Sequence, residues 1–249
     1  MTRLLVSLLL LLSLLPQPAR AALLWVSPSL ERTAAGCAEG ADCARIRLTW
    51  PEFVRNLWPG IQRDIRGWVG YDPWANAVRS PFELTGAFLV AWDDWRRQAG
   101  TDNPTPWYIE REVTIVATPP ALVGVCFMEH SYTGGDHPNS HRRYRMFRYG
   151  SGQLLTLDDL LQPDARPELD RQAENAFRAH YRLPPTGPLG ADFRFDGDRF
   201  RLPKNLVLEA AGLRLYYNLY EIAPYATGPT ELLLPWDGIR ELIRPEFRP

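Results

Sequence analysis

The stretch His130-Ser-Tyr-Thr-Gly-Gly-Asp-His-Pro-Asn139 indicates more about the fold of this chain than any other segment. Its two adjacent glycines permit backbone angles that other residues rarely adopt, and the polar side chains around them are typical of turns. Residues 122–133 before it and residues 142–149 after it have the composition and alternation of β-strands. The stretch therefore predicts a β-hairpin turn that presents polar and aromatic side chains.

The segments on both sides of this turn predict more strands than helices. Further strands are predicted over residues 23–32, 44–50, 108–117, 192–195, 199–202, 205–210, 213–220 and 231–234. Helical spacing predicts helices over residues 59–69, 80–100, 167–181 and 236–243, and a short turn over 157–161. The order of strands and helices does not alternate regularly. It favours an α+β fold in which an antiparallel sheet packs against a few helices.

The N-terminus has the three parts of a secretory signal peptide. Arg3 supplies a positive start, residues 4–15 are mostly leucine, and residues 19–21 read Ala-Arg-Ala, a pattern typical of a cleavage site. The apolar run is shorter than the roughly 20 residues that a membrane span requires, although an uncleaved anchor is the alternative. We expect residues 1–21 to be removed and the protein to be periplasmic or secreted, without stable membrane insertion after cleavage.

Residues 22–249 are expected to form a single α+β globular region. It has an N-terminal half over 22–133 and a C-terminal half over 134–249, with two intimately packed subdomains as the alternative. The chain contains 29 acidic and 28 basic residues, a formal net charge of −1. Because nonspecific nucleic-acid binding requires a basic surface, we expect no nucleic-acid partner.

The cysteines of the chain predict one disulfide. Cys37 and Cys43 flank a loop of small residues, and in an exported protein such a pair favours a disulfide within the predicted N-terminal hairpin. Cys126 lies inside an apolar strand, which favours a buried and inert thiol.

Three segments, in this order, carry a resemblance to a known family: Ser-Tyr-Thr-Gly-Gly-Asp-His-Pro-Asn over 131–139, Ser-Gly-Gln-Leu-Leu-Thr-Leu-Asp-Asp-Leu over 151–160, and Tyr-Glu-Ile-Ala-Pro-Tyr-Ala-Thr-Gly over 220–228. Together they resemble the RsiV-type domain of unknown function. That domain forms the extracytoplasmic part of a lysozyme-sensing anti-sigma factor and the N-terminal domain of the peptidoglycan deacetylase PdaC. Asp136 and Ser151 depart from the family pattern. The resemblance covers about residues 44–243 and implies an α+β domain exposed to the cell envelope. Because we identify no sigma-binding, transmembrane or deacetylase segment, we expect neither the regulation nor the catalysis of those proteins here.

Aromatic and polar residues of the first and third segments are the candidate partner-binding residues, because such side chains suit a binding surface. They are Tyr132, Asp136, His137, Asn139, Tyr220, Glu221 and Tyr225. On a strand, Tyr216, Asn218 and Tyr220 would share one face. The structural alternative is that His137 shapes the hairpin and holds a neighbouring loop, while each tyrosine packs beneath a loop.

Two chemical alternatives use the same turn. A metal site would need three or four ligands to converge from His130, His137, His141 and nearby carboxylates, and their spacing around Pro138 does not favour this, so we expect no metal and no cofactor. A cell-envelope hydrolase or metal-dependent enzyme would use His137, paired with Asp136 or Glu221 as acid and base. No segment has the pattern of a serine nucleophile elbow. We therefore expect a non-enzymatic envelope binding protein whose partner is a lysozyme-like protein or a peptidoglycan fragment.

Overall fold

A six-stranded sheet lies at the centre of the computed structural model, which describes residues 24–35, 43–54, 58–99 and 105–249. The strands of these residues are β1 (Trp25–Val26), β2 (Ser29–Thr33), β3 (Arg45–Thr49), β4 (Glu52–Phe53), β5 (Tyr71–Asp72), β6 (Ala77–Val78), β7 (Tyr108–Val116), β8 (Leu122–Tyr132), β9 (Asn139–Arg148), β10 (Leu154–Leu155), β11 (Leu206–Glu209), β12 (Gly212–Tyr217) and β13 (Thr230–Pro235). The α-helices are α1 (Pro59–Val69), α2 (Pro81–Ala99), α3 (Leu157–Leu160), α4 (Arg166–His180) and α5 (Trp236–Ile239).

Several predictions concern residues outside this description. The predicted signal peptide and Cys37 lie outside the described residues, so signal cleavage and the Cys37–Cys43 disulfide stay predictions. None of the described residues belongs to a helix that is long and apolar enough to span a membrane.

The central sheet has the strand order β10-β9-β8-β7-β3-β2. Its neighbouring strands are antiparallel except β3 and β7, which are parallel because α1 and α2 connect them as a long crossover. The β8–β9 ladder runs to the pair Ser131–Asn139, and Gly134 and Gly135 adopt φ values of +97° and +104°. The predicted α+β fold and the hairpin at the Gly-Gly turn are therefore confirmed.

The two faces of this sheet carry different hydrophobic cores. Side chains that alternate along β8 explain the division: Val125 and Phe127 pack with α1 and α2, whereas Leu122 packs with the small sheet β11-β12-β13 and with α4. Gly124 lies where the small sheet approaches, since an added Cβ would lie 3.3 Å from Val207 Cγ2. The layers are thus helices, central sheet, small sheet and α4, and β8 and β9 contribute to both cores.

Two asparagine side chains join the small sheet to the outer edge of β9. Asn218 accepts a hydrogen bond from the Arg142 N–H (2.7 Å) and donates one to the Arg142 carbonyl (3.0 Å). Asn205 donates to the same carbonyl (2.6 Å) and accepts from the Tyr144 N–H (2.7 Å). These amides take the place of a neighbouring strand, because an unpaired strand edge otherwise leaves backbone groups without partners.

Two predicted strands, over residues 192–195 and 199–202, are wrong. The chain there forms turns around a short 3-10 helix, Asp196–Asp198, in which Gly197 and Asp198 adopt positive φ values of 64° and 52°. Phe193, Phe195 and Phe200 pack around Phe177 of α4, as their ring contacts show. Their apolar pattern therefore reflects the anchoring of a loop. The predicted helix over 236–243 is also shorter, because α5 ends at Ile239 and a 3-10 helix, Arg240–Leu242, follows it.

Candidate partner-binding surface

The Gly-Gly hairpin and the loop that follows β12 meet at His137. The Nε2 atom of His137 lies 2.7 Å from the Tyr220 hydroxyl, and its ring stacks on Tyr225 with centroids 3.9 Å apart and planes 19° apart. The Tyr225 hydroxyl donates a hydrogen bond to the Pro138 carbonyl (3.3 Å). The predicted role of this turn in holding a neighbouring loop is therefore confirmed.

The hydrogen bonds of His137 also determine its neutral tautomer. Nδ1 lies 3.1 Å from the Pro138 carbonyl, which can only accept, so Nδ1 carries the proton. Nε2 is then the acceptor, and the Tyr220 hydroxyl donates to it. Both ring nitrogens of the neutral imidazole are engaged within the hairpin and the loop.

The loop after β12 is a tight turn and not a continuation of the strand. Asn218 donates its N–H to the Glu221 carboxylate (2.8 Å), and Tyr220 adopts a left-handed φ of 63°. The prediction that Tyr216, Asn218 and Tyr220 share one strand face is wrong, because β12 ends at Tyr217 and Tyr216 is buried. Left-handed backbone at a residue other than glycine costs on the order of 1 kcal/mol or more. The contact of Tyr220 with His137 helps to offset that cost, and half of the tyrosine stays exposed (50%).

Tyr132 and Tyr108 extend this group of rings. The Tyr132 hydroxyl donates to the Gly135 carbonyl (2.8 Å), and its ring centroid lies 6.3 Å from that of Tyr108. Burial raises the pKa of Tyr108, and nearby Glu110 and Tyr225 raise it further. We call Tyr108, Tyr132, His137, Tyr220 and Tyr225 the aromatic tip.

Sequence reasoning placed four members of the aromatic tip in one site and missed Tyr108. The β7–β8 register pairs Tyr108 directly with Tyr132. Pairing the two predicted strands residue by residue, starting from the turn that connects them, could have identified Tyr108. Of the remaining candidates, Asp136 and Asn139 are exposed in and beside the turn, and Glu221 is exposed in the loop.

The structure does not bring together the groups that the chemical alternatives need. Among the described residues, no group of three or more His, Cys, Asp or Glu could hold a metal ion. The two nitrogens of His137 contact Tyr220 and Pro138, so the pairs with Asp136 or Glu221 that a hydrolase would use are not formed. His130 lines a separate cavity of about 200 Å³, and burial lowers the pKa of His141, an effect that nearby Glu129 partly opposes.

A polar network lies between the central and small sheets. Arg142 places its guanidinium 4.7 Å from the Tyr216 ring centre and donates to Glu231 (2.9 Å). Burial raises the pKa of Tyr144 to about 12. Cys126 is a buried free cysteine, as predicted, and burial raises the pKa of its thiol. A buried thiol with a raised pKa is a poor nucleophile.

Comparisons with known proteins support a domain of unknown function. Residues 158–237, from within α3 into α5, match the family model DUF3298, described as a protein of unknown function. No curated protein matches the chain.

Two solved structures resemble the chain over almost its whole length. The crystal structure of a DUF3298 family protein from Pseudomonas aeruginosa PAO1 has a TM-score of 0.63 at 20% identity, covering 92% of this chain and 98% of that one. That of a DUF3298 family member from Bacteroides fragilis NCTC 9343 has a TM-score of 0.64 at 19% identity, covering 91% and 96%. At these identities the likeness shows a common fold.

Proposed function

We propose that this protein is an exported, non-enzymatic binding domain of the cell envelope whose aromatic tip contacts a lysozyme-like protein. The observation that carries the proposal is the stack of His137 on Tyr225, with Tyr220 bonded to the same imidazole and half exposed. Rings that are fixed before binding lose little conformational entropy when a partner arrives.

The shape and charge of the surface favour a macromolecular partner. The aromatic tip is formed by the start of β7, the end of β8, the Gly-Gly turn and the loop after β12. Its members do not line the cavities of about 430, 490 and 200 Å³ that lie among the described residues. Tyrosine is enriched among residues that dominate binding energy at protein interfaces. The exposed carboxylates of Asp136 and Glu221 lie in the same turn and loop, so a basic protein surface is complementary to them.

The N-terminus and the family resemblance support the proposed location of the protein. Residues 1–21 have the pattern of a signal peptide, and the three segments that resemble the RsiV-type domain include every member of the aromatic tip except Tyr108. An envelope location brings the protein into contact with lysozyme-like proteins and with peptidoglycan.

The test is a binding measurement of the purified chain against a lysozyme and, separately, against purified peptidoglycan. We expect lysozyme binding at micromolar protein, and we expect Tyr225→Ala to weaken it by about tenfold or more, as removal of a central interface tyrosine does. The matched control is Phe82→Ala, which removes another exposed aromatic ring that lies outside the aromatic tip. Retention by peptidoglycan alone, or by neither material, would refute the lysozyme-like partner.

A further inference from the structure

We propose that the outer face of α1 and the β5–β6 hairpin form a binding groove for a sugar that carries a carboxylate. The groove is open to solvent on one side and has a volume of about 490 Å³, which is within the range of roughly 300–1,000 Å³ usual for small-molecule sites. Arg63, Asp64, Gly67, Trp68, Tyr71 and Arg143 line it. These residues are different from those of the aromatic tip, so the inference goes beyond the proposed function.

The floor of the groove is one face of α1. Gly60, Asp64, Gly67 and Trp68 recur at the spacing of a helix face, while Ile61, Ile65 and Val69 on the other side are buried in the core. Glycine is a poor helix residue, and an added Cβ at Gly60 or Gly67 would meet nothing within 4 Å. Close packing against a neighbouring element therefore does not explain these two glycines. Because they have no side chains, they leave open the space of the groove on this face of α1.

Buried charged groups hold the walls of the groove in place. The Asp72 carboxylate, 2% exposed as a residue, accepts hydrogen bonds from the Trp74 and Ala75 N–H groups and from Arg79 Nε (2.6 Å), which shapes the β5–β6 turn. Arg111, also buried, donates to the carbonyls of Val69 (2.9 Å) and Tyr71 (2.6 Å). The end of α1 and the hairpin are thus tied to the central sheet.

The aromatic and apolar lining suits a sugar ring. Trp68 and Tyr71 line the groove, and Tyr71 and Val78 are 40% and 63% exposed at the hairpin. Pockets that combine aromatic walls with a few placed polar groups are typical of small-ligand sites. The C–H faces of a sugar ring pack on aromatic side chains, while its hydroxyls remain free for the polar groups.

The charges of the groove favour an anion. Asp64, the one carboxylate of the lining, is paired through Oδ1 with Arg145 (2.5 Å), and its Oδ2 is buried without a hydrogen bond from any described residue. Within the described part of the chain, neither Arg63 nor Arg143 has a carboxylate partner, and the Nε of Arg143 is buried without a hydrogen bond. Burial lowers the pKa of Arg143 and nearby Arg145 lowers it further, an effect that Asp64 partly opposes, and the Arg143 guanidinium lies 5.0 Å from the Phe127 ring centre. A guanidinium binds a carboxylate with strong, directional hydrogen bonds, and a carboxylate in the groove would balance this charge.

The experiment compares acidic sugars with neutral sugars of the same ring structure. Binding of N-acetylmuramic acid and of N-acetylglucosamine to the purified chain is measured by calorimetry and by tryptophan fluorescence, and a second pair is glucuronate and glucose. The first pair rests on the proposed envelope function, whereas the second does not. We expect the acid of each pair to bind about tenfold or more tightly than its neutral partner, the difference that a charged hydrogen-bonded pair makes.

Two variants locate the binding, and one is the control. We expect Gly67→Leu to fill the groove and weaken binding of the acid by about tenfold or more, with the thermal midpoint unchanged or higher because leucine is a better helix former. Arg63→Met is expected to remove most of the discrimination between acid and neutral sugar. Arg66→Met is the matched control, since Arg66 is exposed on the same helix and pairs with Glu52 outside the groove.

The outcomes separate the groove from the envelope function. Discrimination in the glucuronate pair alone would support the groove and count against a cell-wall ligand. Equal binding of acid and neutral sugar in both pairs would overturn the proposal, as would full binding by Gly67→Leu. Displacement of the acid by an equal concentration of inorganic phosphate would show a general anion site and would also overturn the sugar assignment.

Discussion

The junction between the two sheets yields a quantitative prediction, because Asn205 and Asn218 both donate to one carbonyl. Asn218→Ala removes its two hydrogen bonds to Arg142, and Asn205→Ala removes one to Arg142 and one to Tyr144. At about 0.5–1.5 kcal/mol net for each hydrogen bond, each single substitution should lower the free energy of unfolding by about 1–3 kcal/mol.

The double variant should lose more than the sum of the two single losses. In each single variant the Arg142 carbonyl keeps one amide donor, whereas in the double variant both amide donors are gone. A part-buried carbonyl without a partner adds a desolvation cost of about 1–2 kcal/mol, so the coupling energy should have that size and a destabilising sign.

Urea unfolding of the four proteins measures this coupling. Asn139→Ala is the matched control. Asn139 is an exposed asparagine at the start of β9, and its loss should change the free energy of unfolding by less than about 0.5 kcal/mol. If the double variant equals the sum of the singles within about 0.5 kcal/mol, the two amides do not jointly satisfy the β9 edge and the reasoning is wrong.

Three further predictions concern other parts of the structure. Burial raises the pKa of Tyr144 to about 12, while an unfolded tyrosine ionises near 10, so the contribution of Tyr144 to stability should be constant below pH 10 and be lost between pH 10 and 12. Tyr144→Phe should reduce the slope of stability against pH in this window, and an unchanged slope would contradict the shift. Gly67→Ala should stabilise the protein by up to about 1 kcal/mol, because alanine is the better helix former. Gly70→Ala should destabilise it by about 1–3 kcal/mol, because the new Cβ would lie 2.0 Å from the Arg79 carbonyl oxygen. Thermal unfolding compares the two variants, and a stability change of the same sign in both would count against this geometry. Thiol titration of the exported chain should detect almost no thiol when it is folded and one, that of Cys126, in denaturant; three thiols in denaturant would exclude the predicted disulfide.

The local parts of the fold follow from the sequence because their causes are local. Alternating residues predict β7, β8 and β9, and the Gly-Gly turn between β8 and β9 requires the positive φ values that Gly134 and Gly135 adopt. The sequence Ser-Pro-Phe-Glu over residues 80–83 is typical of a capping box, and Ser80 and Glu83 exchange hydrogen bonds of 2.9 and 3.2 Å at the start of α2. Each of these features depends on residues a few positions apart, which is the range over which sequence patterns carry information.

Part of the aromatic tip was also open to prediction. Two motifs in one chain suggested that His137 holds the loop at Tyr220 and Tyr225, and the structure places the three rings together. Tyr108 was missed, because its position follows from the register of a ladder and not from a motif. The turn at Tyr220 was mistaken for strand, since its left-handed backbone depends on a tertiary contact.

The α+β class, the Gly-Gly hairpin and the two motifs that meet in the aromatic tip can be predicted from the amino-acid sequence alone. Three features are visible only in the folded chain: the parallel pairing of β3 with β7, the use of Asn205 and Asn218 as an edge for β9, and the meeting of α1, the β5–β6 hairpin and Arg143 around one groove. The physical reason is the range of the interactions. Turn angles, caps and periodicity are set by neighbours in the chain, whereas strand order and cavities depend on packing between segments that are tens of residues apart.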